Sequence, residues 1–355
     1  MSLSRYCEKE AQKQYPWLGA DIRCETLVIG GGILGCAICR EESVKGKDTV
    51  LLSAVPIGYQ SEDTCPFTEQ GGMMLSALSK KIGTAEAVLV LKNVMRAKEK
   101  LVSFCKEKNI AYSERDVIIG SNSTRDLDKL YDEYRVRLHN GFDVEFMTAE
   151  ELREQYSFPM KAAVRIKSGI AAADPCVICR ELLEGISARI FEQTEAVSIE
   201  KKNGYWEVST ATRHTVRAQE VYIADPEKVK TECGAKRRAY ISASGPCSDF
   251  SGYLSKAQVR LLDRNILICT DSEDRITACA QESGAVPKFA SERRFLRLES
   301  ECAELLNAAR PIFDQSRAVK EYSAEENGLF IKEESVGLYV AFCGRDELTA
   351  AFLYG

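Results

Sequence analysis

The stretch Thr26 to Cys39, TLVIGGGILGCAIC, has the residue types and spacing of a binding site. An apolar run, Leu27-Val28-Ile29, meets three glycines, and Gly30, Gly32 and Gly35 space as G-x-G-x-x-G between a strand-like and a helix-like segment. Gly30 permits a tight turn out of the strand. Gly32 lets backbone approach a pyrophosphate, and Gly35 lets the helix pack closely on the strand. Gly31 and Ile33 belong to the same turn. The phosphate would sit at the helix N-terminus, where N–H groups and the dipole favour an anion. The next apolar run, Thr49 to Leu52, reads as a second strand. A dinucleotide-binding unit closes that strand with Asp or Glu, which takes the ribose hydroxyls. Here the position is Ser53, which accepts a hydrogen bond without offering two anionic oxygens. Two readings follow: a dinucleotide site, or a βαβ unit that keeps the fold and binds nothing.

The chain has 14 cysteines. Two C-x-x-C pairs, Cys36/Cys39 and Cys176/Cys179, fall in predicted helices, where i and i+3 share a face. Zinc would need all four brought together, and the only histidines, His139 and His214, lie near neither pair. The pairs read as small buried apolar side chains. The scatter of cysteines through apolar segments fits reduced thiols, and hence a cytoplasmic protein, better than disulfides. The polar N-terminal stretch lacks the apolar core of a signal peptide. A net charge of −5 gives no electrostatic reason to expect nucleic acid or an acidic membrane as partner. No apolar run approaches the roughly 20 residues that span a bilayer. The sequence is silent on oligomeric state.

A chain of 355 residues holds one large or two ordinary domains. After the βαβ unit (22–53), residues 54–74 carry turn chemistry, as a functional loop would. Residues 76–109 read as one helix, 126–141 as a polar helix and 144–147 as a strand, followed by a capping box at Thr148 and Glu151. A strand over 162–166 precedes Asp174-Pro175, which opens a helix to about Gly185. The run 188–191 reads as a strand, then 195–201, 204–210 and 215–218 as a meander turning at Asn203-Gly204, with a separate apolar strand over 220–224. Strand-like runs follow at 239–244, 261–270 and 275–279, a helix at 291–309, and two closing strands at 328–332 and 337–342. This order predicts an α/β dinucleotide domain interrupted by a second, α+β domain.

In four features the chain resembles the D-amino-acid oxidase family of FAD-dependent oxidoreductases, which includes glycine and sarcosine oxidases. These are Asp21 to Gly35; the loop Ile57-Gly58-Tyr59-Gln60-Ser61; the segment from Gly169 through Asp174-Pro175 to Ile199; and the C-terminal Gly337 to Gly344. The resemblance implies a Rossmann-like FAD domain, discontinuous over 22–88, 158–232 and 325–355. It also implies an antiparallel-sheet substrate domain over 89–157 and 233–324. It implies FAD as cofactor, a small amine or amino acid as substrate, and hydride transfer from the carbon beside the nitrogen to the flavin. Carried onto this chain, the cofactor-binding positions are Gly30, Gly31, Gly32, Ile33, Gly35, Ser53, Ser61, Val197, Ala224 and Gly344.

The departures from the family pattern support a second reading. Ser53 replaces the ribose-binding acid, and Ala224-Asp225-Pro226 stands where relatives run Ala-Thr-Gly. Arg345-Asp346-Glu347 replaces small residues, and Gly355 comes before a closing helix. Together they fit a non-catalytic descendant with weakened or lost FAD binding, acting as a ligand- or partner-binding protein. No catalytic residue is fixed by the sequence. Arg237, Arg238, Tyr240, Tyr253, Arg260 and Arg275 are candidates for holding a substrate, each weighed against an exposed charge or a packed ring. Glu69-Gln70-Gly71-Gly72 is a loop candidate near the flavin. His139 and His214 read as solvent-exposed.

Overall fold

The computed structural model describes residues 15–59, 74–155, 160–224, 236–247, 257–270, 275–282, 291–306, 312–323, 330–342 and 352. The first sheet begins with β1 (Ile22–Ile29), α1 (Ile33–Val44) and β2 (Thr49–Leu52). All four residues of β2 are buried, as a parallel strand covered on both faces requires. Then come α2 (Leu75–Ile82), α3 (Thr84–Glu107), β3 (Tyr112–Ser121), α4 (Leu127–His139), β4 (Val144–Thr148), α5 (Ala149–Gln155) and β5 (Ala162–Ala173). The chain returns through α6 (Pro175–Leu183), β6 (Arg189–Phe191), β7 (Ala196–Lys202), β8 (Tyr205–Thr210) and β9 (Thr215–Ile223). It leaves again for β10 (Lys236–Pro246), β11 (Ala257–Leu261), β12 (Ile266–Thr270), β13 (Arg275–Glu282), α7 (Ser291–Leu305) and β14 (Phe313–Ser323). It closes with β15 (Phe330–Ser335) and β16 (Leu338–Phe342).

The first sheet runs β15-β16-β9-β1-β2-β6, with β8 pairing β9 and β7 pairing β8. β1 pairs in parallel with both β2 and β9, so it is central. On one face lies a core that joins α1, α6 and the C-terminal half of α3, including Ile38, Leu51, Leu101 and Ile178. On the other lies a core shared with the meander, including Leu27, Leu52, Trp206 and Val216. The second sheet runs β14-β10-β13-β12-β11-β3-β5-β4. α7 covers one of its faces through Phe295 and Leu298. α2, α3 and α4 cover part of the opposite face through Leu75, Leu91 and Leu130. Each fully buried Leu or Ile contributes about 1.5–3 kcal/mol.

Several elements differ from expectation. The predicted helix over 76–109 is two helices, because Gly83 adopts φ 92° between them. The predicted strand over 261–270 is only the last residue of β11, a turn with Asn265 at φ 53°, and β12. The third meander strand and the apolar strand after it are one strand, β9, whose first part closes the meander and whose length pairs β1. β5, which falls inside the span 158–232, belongs to the second sheet.

Candidate functional site

The glycine turn stands where β1 ends and α1 begins. Gly30 has φ 119° and donates its N–H to the Leu52 carbonyl at 2.9 Å, tying the turn to β2. Gly32 is the extended N-cap of α1, whose first internal bond is Cys36 N–H to the Gly32 carbonyl. No side chain caps this end, and no acid stands in the first turn. A Cβ on Gly35 would lie 2.9 Å from the Gly30 carbonyl carbon, so only glycine fits there. A Cβ on Gly31 would lie 2.7 Å from Ser53 Cβ and 2.8 Å from Ile57 Cδ1. Ile33 is fully buried beneath the turn. Ala224 donates its N–H to the Ile29 carbonyl at 2.8 Å, and its methyl faces Gly35. The structure thus brings Gly30, Gly31, Gly32, Ile33, Gly35, Ser53 and Ala224 to one end of the first sheet.

Ser53 is buried, and its hydroxyl donates to the Val55 carbonyl at 2.5 Å. The side chain closes a local turn. Its backbone continues the sheet, donating to the Phe191 carbonyl and accepting from Thr194 N–H. Val197 is 66% exposed, at the register shift between Ala196 and Ser198 where β7 bulges against β8. Ser61, Gly344, Asp225, Tyr253, the 69–72 loop and the 345–347 turn lie outside the described residues, as do the side chains of Arg237 and Arg238. Tyr240 is fully buried on the α7 face of the second sheet, edge-on to Phe295 at 5.4 Å. Its ring is packed there, and its hydroxyl is buried with no hydrogen-bond partner among the described residues. Arg260 and Arg275 are half-buried on β11 and β13. His139 is exposed, while His214 is half-buried with Nδ1 3.7 Å from Asp21 Oδ1, a partner brought from far along the chain.

The sequence reading missed Glu192. This buried acid follows β6 directly, one strand over from Ser53, and its carboxylate accepts Ile57 N–H at 2.7 Å and Tyr15 N–H at 3.1 Å. Its own N–H donates to the Pro16 carbonyl. Glu192 therefore pins the turn after β2 and the segment before β1 to the rim of the glycine turn. The signal was present: an acid directly after a short apolar strand, where backbone N–H groups need acceptors. Gly58 N–H adds a bond to the Gly31 carbonyl at 3.0 Å, and the Cys176 thiol points at the Gly58 carbonyl.

Behind the turn, α1 packs on α6, and Cys36, Cys39, Cys176 and Cys179 are all buried. Burial, with the neighbouring Cys179 thiol, pushes the Cys36 thiol well up, and burial pushes Cys39 up to about 12. Both stay protonated at neutral pH, the unreactive form.

A family model described as FAD dependent oxidoreductase, the DAO family, matches residues 25–355. The chain belongs to this family. Its members are FAD-dependent flavoproteins. Among solved structures, this family member is similar to glycine oxidase from Geobacillus kaustophilus, with a TM-score of 0.71 and 17% identity over 93% of this chain and 92% of that one. It is equally similar to L-alpha-glycerophosphate oxidase from Mycoplasma pneumoniae with FAD bound, at a TM-score of 0.71 and 13% identity over 94% and 93% of the two chains. Both likenesses are of fold. A curated Bacillus subtilis protein, YhfW, named for a Rieske 2Fe-2S iron-sulfur protein, is 26% identical over 214 residues, 58% of this chain and 40% of YhfW. The match thus spans less than half of that relative. No described helix is long and apolar enough to cross a membrane.

Proposed function

We propose that this chain is an FAD-dependent oxidoreductase that oxidises a small amine or amino acid. The carrying observation is the glycine turn. Gly31 and Gly35 leave no room for a Cβ, and α1 begins beside them with neither a side-chain cap nor an acid. That geometry fits a pyrophosphate, whose charge the helix end favours. Gly30, Gly31, Gly32, Ile33, Gly35 and Ala224 form the cradle in this reading, while Ser53 supports it from below. Val197, Ser61 and Gly344 complete the cofactor set by resemblance. The FAD domain is built on the first sheet and the substrate domain on the second, with β5 moved to the substrate side. The likeness to glycine oxidase supports the amine class.

FAD, when bound, supplies the two-electron chemistry. Held by Gly30, Gly31, Gly32, Ile33, Gly35 and Ala224, it would accept a hydride from the carbon beside the substrate nitrogen, which would be left as C=N once the nitrogen gave up a proton. The chain's own part is to fix the pyrophosphate and hold the substrate's reacting carbon against the flavin.

One observation favours a second reading, a descendant that no longer holds flavin: Ser53 stands where an acid would take the ribose hydroxyls, and its O–H is turned to the Val55 carbonyl. An absorption spectrum from about 300 to 550 nm, taken before and after incubation with FAD and desalting, separates the two. Retained flavin bands that bleach with an amine support the oxidoreductase. Colourless protein in both samples sinks it.

A further inference from the structure

The second sheet has two unlike faces. On one, Ile276, Ala278, Ile266, Ile268, Val259 and Ala257 pack with α7. The opposite face is covered by α2–α4 only at its β3-β5-β4 end. Over β10 to β13 this face presents Ala239, Ile241, Leu267 and Cys279 as a small separate cluster. Among the described elements no helix packs there, yet all four side chains are buried.

Gln258 stands on the same face. It pairs Val117 of β3 in register, and Arg260, two residues on, pairs Leu267. The Gln258 side chain is 1% exposed, and neither its Oε1 nor its Nε2 has a hydrogen-bond partner among the described residues. Leaving one buried amide group unpaired costs about 1–3 kcal/mol. A leucine or methionine would fill this place in an apolar core with no such penalty. The neighbouring row, Ala243, Thr277 and Cys269, is small or weakly polar, so no adjacent bulk accounts for an amide there. A side chain carrying both a donor and an acceptor, enclosed and bonded to nothing, is built for a ligand with the complementary pair.

We propose that Gln258 binds the substrate in the enclosed half-face of the second sheet, accepting from its amine nitrogen with Oε1 and donating to its carboxylate with Nε2. This rests on the amine or amino-acid reading above. An α-amino acid presents a nitrogen and a carboxylate oxygen close together, and a primary amide matches them side by side. The choice of an amide over an acid has a chemical consequence. A carboxylate at 258 would hold the substrate nitrogen as an ammonium, whereas a neutral amide leaves it free to lose its proton, which C=N formation requires.

The test uses the full chain incubated with FAD, and two variants of nearly unchanged shape, Gln258→Met and Gln258→Glu. Thermal unfolding is measured without ligand, and glycine, sarcosine and L-proline are titrated calorimetrically, a readout that needs no flavin. The expected result is that Gln258→Met melts about 2 °C above the parent, because the unpaired amide is gone. It should also bind the probe that the parent binds at least tenfold more weakly. Gln258→Glu should move the pH optimum of binding downward by favouring the ammonium form, and should weaken binding, because its second oxygen cannot donate to the substrate carboxylate and repels it. A Gln258→Met protein that melts at or below the parent, or that binds the probes as the parent does, overturns the proposal. So does a parent that binds none of the three. Loss of the broader oxidoreductase reading shows separately, as a parent that is colourless after FAD incubation.

Discussion

Two buried glutamates hold the two ends of the connection between β2 and α2, and they do so differently. At the early end, Glu192 accepts Ile57 N–H and Tyr15 N–H at the rim of the glycine turn. At the late end, Glu133 of α4 accepts Leu75 N–H at 3.0 Å and Ser76 N–H at 2.7 Å, capping α2 from outside. Glu133 is fully buried and carries a guanidinium with it: Arg137 Nε lies 2.6 Å away, one helical turn on, and is equally buried. Both acids answer backbone donors that burial would otherwise orphan. The difference lies in where the charge goes. Glu192 is balanced by peptide N–H dipoles near the edge of the fold, whereas Glu133 needs a counter-ion because it sits deep between α2, α4 and the second sheet. The early end is a backbone construction beside the proposed cofactor site, and the late end is a side-chain construction that locks α2 and α4 over the second sheet.

The sharpest way to break this comparison is Glu133→Gln. It removes the charge opposite a buried guanidinium, and breaking such a pair costs about 3–5 kcal/mol. Chemical denaturation should show that loss with little change in the flavin spectrum. A loss below about 1 kcal/mol would mean that Arg137 is balanced elsewhere and that Glu133 acts as an ordinary cap. The next effect is at the other end. Gly31→Ala drives a methyl against Ser53 and Ile57, and overpacking of this kind costs about 1–3 kcal/mol. Because those residues form the turn that Glu192 pins, FAD retention after desalting should fall with stability. Flavin held as tightly as in the parent would show that the turn yields freely. Glu192→Gln should cost less, about 1.5 kcal/mol, since the amide oxygen still accepts from Ile57 while its NH2 faces the Tyr15 N–H. A cost equal to that of Glu133→Gln would erase the distinction between the two ends.

Much of the early end was legible. The apolar runs flanking Gly30 to Gly35 fixed β1, α1 and β2, and family membership agrees with the resemblance read from the same residues. The Thr148–Glu151 capping box and the Asp174 cap were legible too, because their partners are two or three residues away. The late end was not. α4 reads as polar all round, so Glu133 and Arg137 look like a solvated i,i+4 pair until α2 is laid across them. β14 was missed because FDQSRAVKEYS has little apolar alternation, and its place as an edge strand against β10 asks for none. Gly83 and Asn265 split elements that apolar content alone ran together, because a single left-handed or extended-glycine residue leaves periodicity on both sides intact. Gln258 carried no signal at all. An amide in a strand is ordinary until its burial and its lack of partners are seen.

A third acid lies between the two glutamates in kind and gives the smallest expected effect. Glu299 of α7 has a guanidinium partner, as Glu133 does, but at the rim of the sheet, as Glu192 is. Arg317 of β14 meets it in a fork, Nε to Oε1 and Nη2 to Oε2 both at 2.7 Å, and Ser242 donates to Oε1. Burial alone would raise the Glu299 carboxyl, but the bonds from Arg317 and Ser242 outweigh it and hold it below the usual carboxylate range. A carboxyl that is more acidic in the folded chain stabilises that chain above its unfolded value, about 4.3, and loses that stabilisation as pH falls through the lower folded value. Arg317→Met should therefore cost about 1 kcal/mol at pH 7, and the gap between parent and variant should narrow as pH drops below about 4. Denaturation midpoints measured from pH 7 to pH 3 decide it. A gap that stays constant across that range would place the worth of Arg317 in its packing over the Phe295 ring, 5.4 Å away, and not in the charge it brings to Glu299.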